Sequence, residues 1–385
     1  MLLAAGFGRR LVPLTLERAK PALPFLNRPL LLRQLDYLDH RGVDSVVVNL
    51  HHRPESILTL LRQEGKHRGG GAFSKLGGPR QEHPSGGPSG DRFHLSGMEI
   101  LISAETERLG TSGGLRKVAE EFKDRGTLVC LNADMLTEID LHAARAAHVR
   151  SGLPATLVLA PFREGCPFTP VHHDGERVLS FGGEQDSPAR GIFTGIHFLE
   201  PELLERLPEG PSEFLPDLYW PLIREGDAPG VLVANERWME VGSAGRFLES
   251  QIRALSEAPF TGHRLWPQAG VNLPDIRQAC AVDIHPPVLW GPECFLGWGA
   301  ILAPGTILGR GVQVGEGVRL ENCVIGDGVR IGPGTSLTRV VVGPETQVPA
   351  GVEVSSALLQ GGLEGLDEPA ARPALSWQGI WRAAF

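Results

Sequence analysis

None of the five cysteines, at 130, 166, 280, 294 and 323, falls in a C-x-x-C pair. That excludes a thiol-rich zinc site and a disulfide frame, and it points to reduced thiols in a cytoplasmic setting. Positive charge is not in excess: 37 Lys and Arg face 45 Asp and Glu, a formal charge of −8. A nucleic-acid partner is therefore not expected. No apolar run reaches the roughly 20 residues that a membrane-spanning helix needs. The first residues carry no apolar segment followed by a small-residue cleavage site, so they do not read as a signal peptide. What remains is an ordinary globular composition, 42% hydrophobic and 21% charged over 385 residues, long enough for two domains.

Against that background one stretch is rich in information. Residues 3–24 read LAAGFGRRLVPLTLERAKPALP. A short apolar strand, 1–5, breaks into Gly6-Phe7-Gly8, two arginines, a Pro-Leu-Thr turn and Lys20-Pro21. Gly6 and Gly8 let bare backbone approach a ligand, and Arg9, Arg10 and Lys20 place cations beside it, which suits a polyphosphate. A dinucleotide fingerprint would need a third glycine where Leu11 stands, and a Walker A loop would need Gly-Lys-Ser/Thr. Neither is present. The stretch resembles the LAAGxGxRLxPLTxxxxKPxxP signature of the sugar-1-phosphate nucleotidyltransferases. Members of that family usually carry a few residues before the LAAG, so the resemblance implies either a clipped first strand or a misassigned start codon here.

Four further segments carry the resemblance. Asp134, in LNADML, stands where the family places a magnesium-binding aspartate. Glu240, in RWMEVGSAGRFLES, stands where a second, aspartate ligand is usual. Residues 107–115, ERLGTSGGL, resemble the LGTAGAL loop, and Phe193-Thr194-Gly195-Ile196 resembles a strand that borders the sugar. The resemblance implies that Arg10 and Lys20 act on the phosphates. It implies nucleotide contacts from Leu3, Ala4, Ala5, Gly6, Gly8, Arg9, Gly110, Thr111 and Ser112, with Thr111 as a helix cap. Asn132, Thr194 and Gly195 would touch the sugar, and Asp134 and Glu240 would hold Mg2+, a hard ion that favours carboxylate oxygen. A Glu-Lys-Pro motif that many members carry before the F-T-G strand is missing. The region reads VLSFGGEQDSPARGIFTGI, with Arg190 the nearest cation.

Strand and helix patterns alternate through 1–255, which predicts a Rossmann-like, mostly parallel α/β sheet with ligands beyond the strands' carboxyl ends. Helices are expected over 29–40, 54–63 and 111–122, and strands over 45–50, 99–103, 127–132, 155–160 and 191–198. Residues 66–97, rich in Gly, Pro and Ser, read as a surface insertion. Residues 256–385 form a second domain. Leu296, Leu302, Leu308, Val314 and Leu320 recur every six residues. Ile325, Ile331 and Leu337 follow after one five-residue step, and Val342, Val348 and Val354 after another. Aliphatic residues every six with glycine corners build a three-sided coil. The pattern, over about 285–356, resembles the left-handed parallel β-helix of hexapeptide-repeat proteins. The last histidine, His285, stands at or before the first coil and none follows it in the repeats, which argues against the acyltransfer chemistry some such coils carry and leaves homo-oligomer formation as their role. Trp377, Ile380 and Trp381 are expected to dock as a helical turn.

The LGTSGG form with a β-helix favours GTP and mannose 1-phosphate as substrates. The missing lysine instead favours uridylyl or thymidylyl transfer to another hexose phosphate such as N-acetylmuramate 1-phosphate. Glu240 and the missing motif also leave open a catalytically silent subunit of such an enzyme.

Overall fold

The computed structural model describes residues 1–67, 92–95, 97–183, 187, 189–258, 277–278, 281–361, 375–377 and 380–384. Most of the expected insertion, at 68–91 and 96, lies outside the described residues. The chain divides into two compact units. The first comprises 1–7, 18–22 and 34–239; the second comprises 8–17, 23–33 and 240–385.

The first unit is built on a ten-stranded sheet. Its strands are β1 (Leu2–Leu3), β2 (Ser45–Leu50), β3 (Arg92–Leu95), β4 (Met98–Ala104), β5 (Leu128–Asn132), β6 (Ala155–Pro161), β7 (Pro170–His173), β8 (Val178–Phe181), β9 (Ala189–Leu199) and β10 (Gly230–Val233). The order is β8-β7-β9-β5-β1-β2-β4-β3, with β6 pairing both β9 and β10. Strands β5, β1, β2 and β4 are mutually parallel, whereas β9, β7, β8 and β3 join antiparallel. The parallel centre is covered on both faces, so its strands are near-continuous apolar runs: in β2, Val46, Val47, Val48 and Leu50 are all buried. Among the described residues the α-helices are α1 (Leu30–His40), α2 (Pro54–His67), α3 (Gly110–Lys117), α4 (Leu141–Ser151), α5 (Trp220–Glu225) and α6 (Ala244–Ser256). The helix expected over 111–122 ends at Lys117, and Ala119–Phe122 continues as a separate 3-10 turn. Asp140 caps α4 by accepting from the backbone N–H groups of His142 and Ala143, and Gly152 ends it at φ 64°.

The second unit contains the coil. Successive strands stack in parallel at offsets of 18 residues, as in Phe295↔Gln313, and then 17, as in Leu320↔Leu337. Three hexads make one turn, and each five-residue step shortens a turn by one. All eleven aliphatic residues of the six-residue repeat are buried, from Leu296 to Val354. A second inward column two positions earlier carries smaller side chains, among them Cys294, Ala300, Thr306, Val312 and Val318. At the corners the coils approach so closely that a Cβ on Gly332 would lie 2.4 Å from the backbone N of Ala350. This all-parallel stack is the β-helix. The C-terminal segment is not a helical turn: Leu375–Trp377 and Ile380–Ala384 are strands, the latter antiparallel to Glu353–Gln360. An exposed edge strand offers ladder partners that an isolated turn cannot match.

Segments 8–17 and 23–33 belong with this unit through specific bonds. The Leu26 N–H donates to Gln251 Oε1 (2.8 Å), and Asn27 Nδ2 donates to the Leu308 carbonyl of the coil (2.8 Å). The fully buried Arg33 donates to the carbonyls of Phe25 and Leu26.

Candidate active site

The carboxyl ends of β5, β1, β2 and β4 form one rim of the first unit. A cleft of about 190 Å3 opens there. Leu3, Ala4, Ala5 and Gly6 line it from β1, Asn49 from β2, Arg108, Gly110 and Thr111 from the segment after β4, and Asn132 and Asp134 from β5, joined by Lys20 and Pro21. Nine of these residues were expected from the sequence. Asn49, Pro21 and Arg108 were not. Asn49 had a legible signal, as the one amide at the end of the apolar run SVVVNL.

Gly6 shows what the cleft is shaped for. It is exposed, its φ is not in the left-handed region, and an added Cβ would meet nothing within 4 Å. Neither strain nor packing asks for glycine at this position, so the bare backbone serves the space in front of it. Lys20 stands close by. It is only 7% exposed, and its Nζ is 2.5 Å from Asp134 Oδ2. A nearly buried ammonium needs such a partner. The aspartate is 28% exposed and reaches into the cleft.

Behind the lining runs a buried strut. Asn49 Oδ1 accepts from the Ala4 N–H (2.8 Å), and Asn49 Nδ2 donates to Glu105 Oε1 (2.7 Å). Glu105 Oε2 accepts from the Leu109 N–H (3.1 Å). Burial pushes the Glu105 carboxyl above its usual range, opposed by these bonds and by the Lys117 charge. The strut ties the β1 end to the loop before α3. Gly114 makes room for it: a Cβ there would lie 2.7 Å from both Asn49 Nδ2 and Glu105 Oε1.

The start of α3 differs from expectation. Thr111 does not cap it. Caps arrive from Ser212 and Glu213, a hundred residues away. The Ser212 carbonyl accepts from the N–H groups of Ser112 and Gly113, and Glu213 Oε2 accepts from the Thr111 N–H (3.0 Å) and Oγ1 (2.7 Å). Glu213 Oε1 accepts from Arg108 Nη2 (2.5 Å). With the amides of Thr111, Ser112 and Gly113 taken, this helix end is not an open anion site.

Ser112 and Thr194 do not line the cleft. Ser112 is buried, and its Oγ bonds Ser212 Oγ at 2.9 Å. Thr194 sits in a register shift of β9 against β6 and donates to the Val158 carbonyl, while its own carbonyl accepts from Trp238 Nε1. Gly195, at φ 82°, acts through Asn132: a Cβ there would lie 2.5 Å from Asn132 Nδ2. Arg190 lies with its guanidinium 4.5 Å from the Phe162 ring centre and 3.2 Å from Glu164. Gly8, Arg9, Arg10 and Glu240 belong to the second unit. There Gly8 takes φ 65° at the head of a 3-10 turn, and Arg10 is 66% exposed, 3.9 Å from Glu240 Oε1. Glu240 Oε2 is 2.6 Å from Arg246 Nη1, and its carboxylate folds over Gly242, where a Cβ would be 2.1 Å from Oε1.

Comparison with known proteins agrees with this geometry. Residues 1–257 match the family model of nucleotidyl transferases, and 296–359 match that of the GlmU-like C-terminal hexapeptide. The chain is 26% identical over 336 residues to a probable mannose-1-phosphate guanylyltransferase 2 of Arabidopsis thaliana, covering 84% of this chain and 80% of that one. It is 27% identical over 268 residues to a mannose-1-phosphate guanyltransferase of Eremothecium gossypii, covering 66% and 64%. The crystal structure of HddC from Yersinia pseudotuberculosis superimposes with a TM-score of 0.50 at 16% identity, over 66% of this chain and 97% of that one, a likeness of fold. The bare β1 loop, the Lys20–Asp134 pair and the match over 1–257 together make this chain a member of the nucleotidyl transferase family, extended by a hexapeptide-repeat β-helix.

Proposed function

We propose that the chain transfers a guanylyl group from GTP to mannose 1-phosphate, giving GDP-mannose and pyrophosphate. Nucleotidyl transfer to a sugar 1-phosphate is the activity of the family; the base and the sugar are our reading. The observation that carries it is the Lys20–Asp134 pair beside the bare Gly6 backbone at the rim. Two features support the guanylyl choice: the LGTSGG loop with its β-helix, and relatives named for mannose-1-phosphate guanylyl transfer over most of the chain.

In this reading a phosphate oxygen of the sugar 1-phosphate attacks the α-phosphorus of the nucleotide in line. The bond from that phosphorus to the bridging oxygen breaks, and pyrophosphate leaves. No protein atom forms a covalent bond, so the protein's work is to align the reactants and offset charge. Lys20 turns from Asp134 to the α-phosphate, and the Gly6 backbone lets the phosphates lie close. Arg10 and Glu240 keep the roles the signature gives them, on the triphosphate and on the metal. Asp134 fits a magnesium ligand: it offers hard, partly exposed carboxylate oxygen at the cleft. Among the described residues no group of three or more His, Cys, Asp and Glu could hold a metal. An ion here would be bound by one or two carboxylates together with substrate phosphates and water. When bound, magnesium would neutralise charge on the transferring and leaving phosphates. We also assign self-association to the coil; a monomer by light scattering would contradict that assignment.

The test is pyrophosphate release over GTP, ATP, UTP and dTTP, each with mannose, glucose and N-acetylmuramate 1-phosphates. GTP with mannose 1-phosphate is expected to give the highest kcat/KM. Preference for UTP or dTTP would replace the guanylyl reading with the alternative that the missing Glu-Lys-Pro lysine favours.

A further inference from the structure

Two cationic side chains line the cleft, Lys20 and Arg108. Lys20 pairs with Asp134, which follows β5. Arg108 follows β4. In the sheet order β5-β1-β2-β4 these ends are three strand spacings apart, roughly 14 Å at about 4.8 Å per step. A nucleotide with its α-phosphate at Lys20 therefore lays its base toward Arg108.

The surroundings of Arg108 suit a base better than a phosphate. Glu213 Oε1, 2.5 Å from Nη2, offsets the guanidinium charge. A neutralised pair attracts a phosphate weakly, but the planar fork keeps its directional donors. One of the five N–H groups goes to Glu213; among the described residues the rest have no protein acceptor. Glu213 itself is fixed by the Thr111 N–H and hydroxyl, so a guanidinium that remains half exposed to the cleft is tethered at its edge. Gly110 allows this close packing: a Cβ there would lie 2.3 Å from the Ser212 carbonyl oxygen and 2.9 Å from Glu213 Oε1.

The geometry points to Arg108 as the residue that selects the base, with Glu213 as its positioning residue. The matching ligand edge carries two adjacent acceptors. Guanine presents O6 and N7 together; adenine replaces O6 with an amino donor, and the pyrimidines lack N7. This assignment rests on the guanylyl reading above.

The probe is 7-deaza-GTP, which lacks the N7 acceptor, used beside GTP and ATP with mannose 1-phosphate in the full-length enzyme. The wild type is expected to prefer GTP over 7-deaza-GTP in kcat/KM, by about fivefold or more. Arg108→Ala should shrink that ratio toward one and lower the GTP-to-ATP preference by about five- to a hundredfold. Arg108→Lys guards against misfolding: it keeps the charge near Glu213 but not the fork, and should lose the same selectivity. Glu213→Gln keeps a weaker tie and should fall between wild type and Arg108→Ala in selectivity at unchanged circular dichroism. An equal penalty for 7-deaza-GTP in wild type and Arg108→Ala, with GTP still the preferred substrate, would overturn the role of Arg108 alone. If the wild type does not use GTP, the guanylyl reading and this assignment both fall.

Discussion

Lys20 and Asp134 form one ion pair, yet their environments make them unequal. The Lys20 side chain is 9% exposed and that of Asp134 28%. Removing the aspartate leaves a nearly buried ammonium without its counter-charge, whereas removing the lysine leaves a carboxylate that water can reach. Asp134→Asn is therefore expected to cost about 2–3 kcal/mol of stability and Lys20→Ala less than about 1 kcal/mol. Activity should follow a different order. Both variants should lose turnover, Lys20→Ala by about two orders of magnitude, as loss of a fixed charge at a phosphoryl transition state does. Urea unfolding beside steady-state kinetics separates the two effects. Equal stability losses would mean that the pair is more hydrated than its burial indicates.

Among the elements, α3 brings local preference into conflict with packing. Alanine is favoured over glycine inside a helix by about 1 kcal/mol. Gly114→Ala would nevertheless push a Cβ to 2.7 Å from the buried Asn49–Glu105 bond. Overpacking of that kind costs about 1–3 kcal/mol. The variant is expected to melt below wild type and to bind nucleotide more weakly; a raised melting temperature would show that the strut yields. At α4 the sign can be followed with pH. Backbone N–H groups of Ala143 and His142 hold the Asp140 carboxyl below its usual value of 3.8. Its cap is at full strength above about pH 4 and is lost as pH falls through the depressed value. Asp140→Ala should cost about 1 kcal/mol at pH 7, with the gap to wild type closing in acid. A gap that persists at pH 2 would assign the loss to packing instead.

These elements show where the sequence could be read and where it could not. The column from Leu296 to Val354 was legible because a fixed period survives two five-residue steps. Its companion column was not, because Cys294, Ala300 and Thr306 share no chemistry beyond small size. The helix end at Gly110 looked self-capped by Thr111, since a cap from Glu213 leaves no trace at local spacing. Pairing of Ile380–Ala384 with Glu353–Gln360 is equally non-local, and WQGIW alone shows no alternation to announce a strand.

Across the whole molecule, the residues of the N-terminal motif are divided between the two units. Gly6 and Lys20 belong to the first, Gly8 and both arginines to the second, where Leu26 and Asn27 bond α6 and the coil. The coil therefore shares its unit with residues 8–17 and 23–33 of the chain's N-terminal stretch. A chain ending at Ala258 should lose at least about tenfold in kcat/KM with Lys20 and Asp134 intact, since misplaced reactants cost that much; full activity in the shortened chain would contradict this. No described helix is long and apolar enough to cross a membrane. The account stands most directly on the chemistry at Lys20. The decisive measurement is magnesium-dependent pyrophosphate release from GTP and mannose 1-phosphate by wild type and Lys20→Ala side by side. The account expects release by wild type and a loss of about a hundredfold in the variant. Equal rates in the two proteins, or no release by wild type, would contradict it.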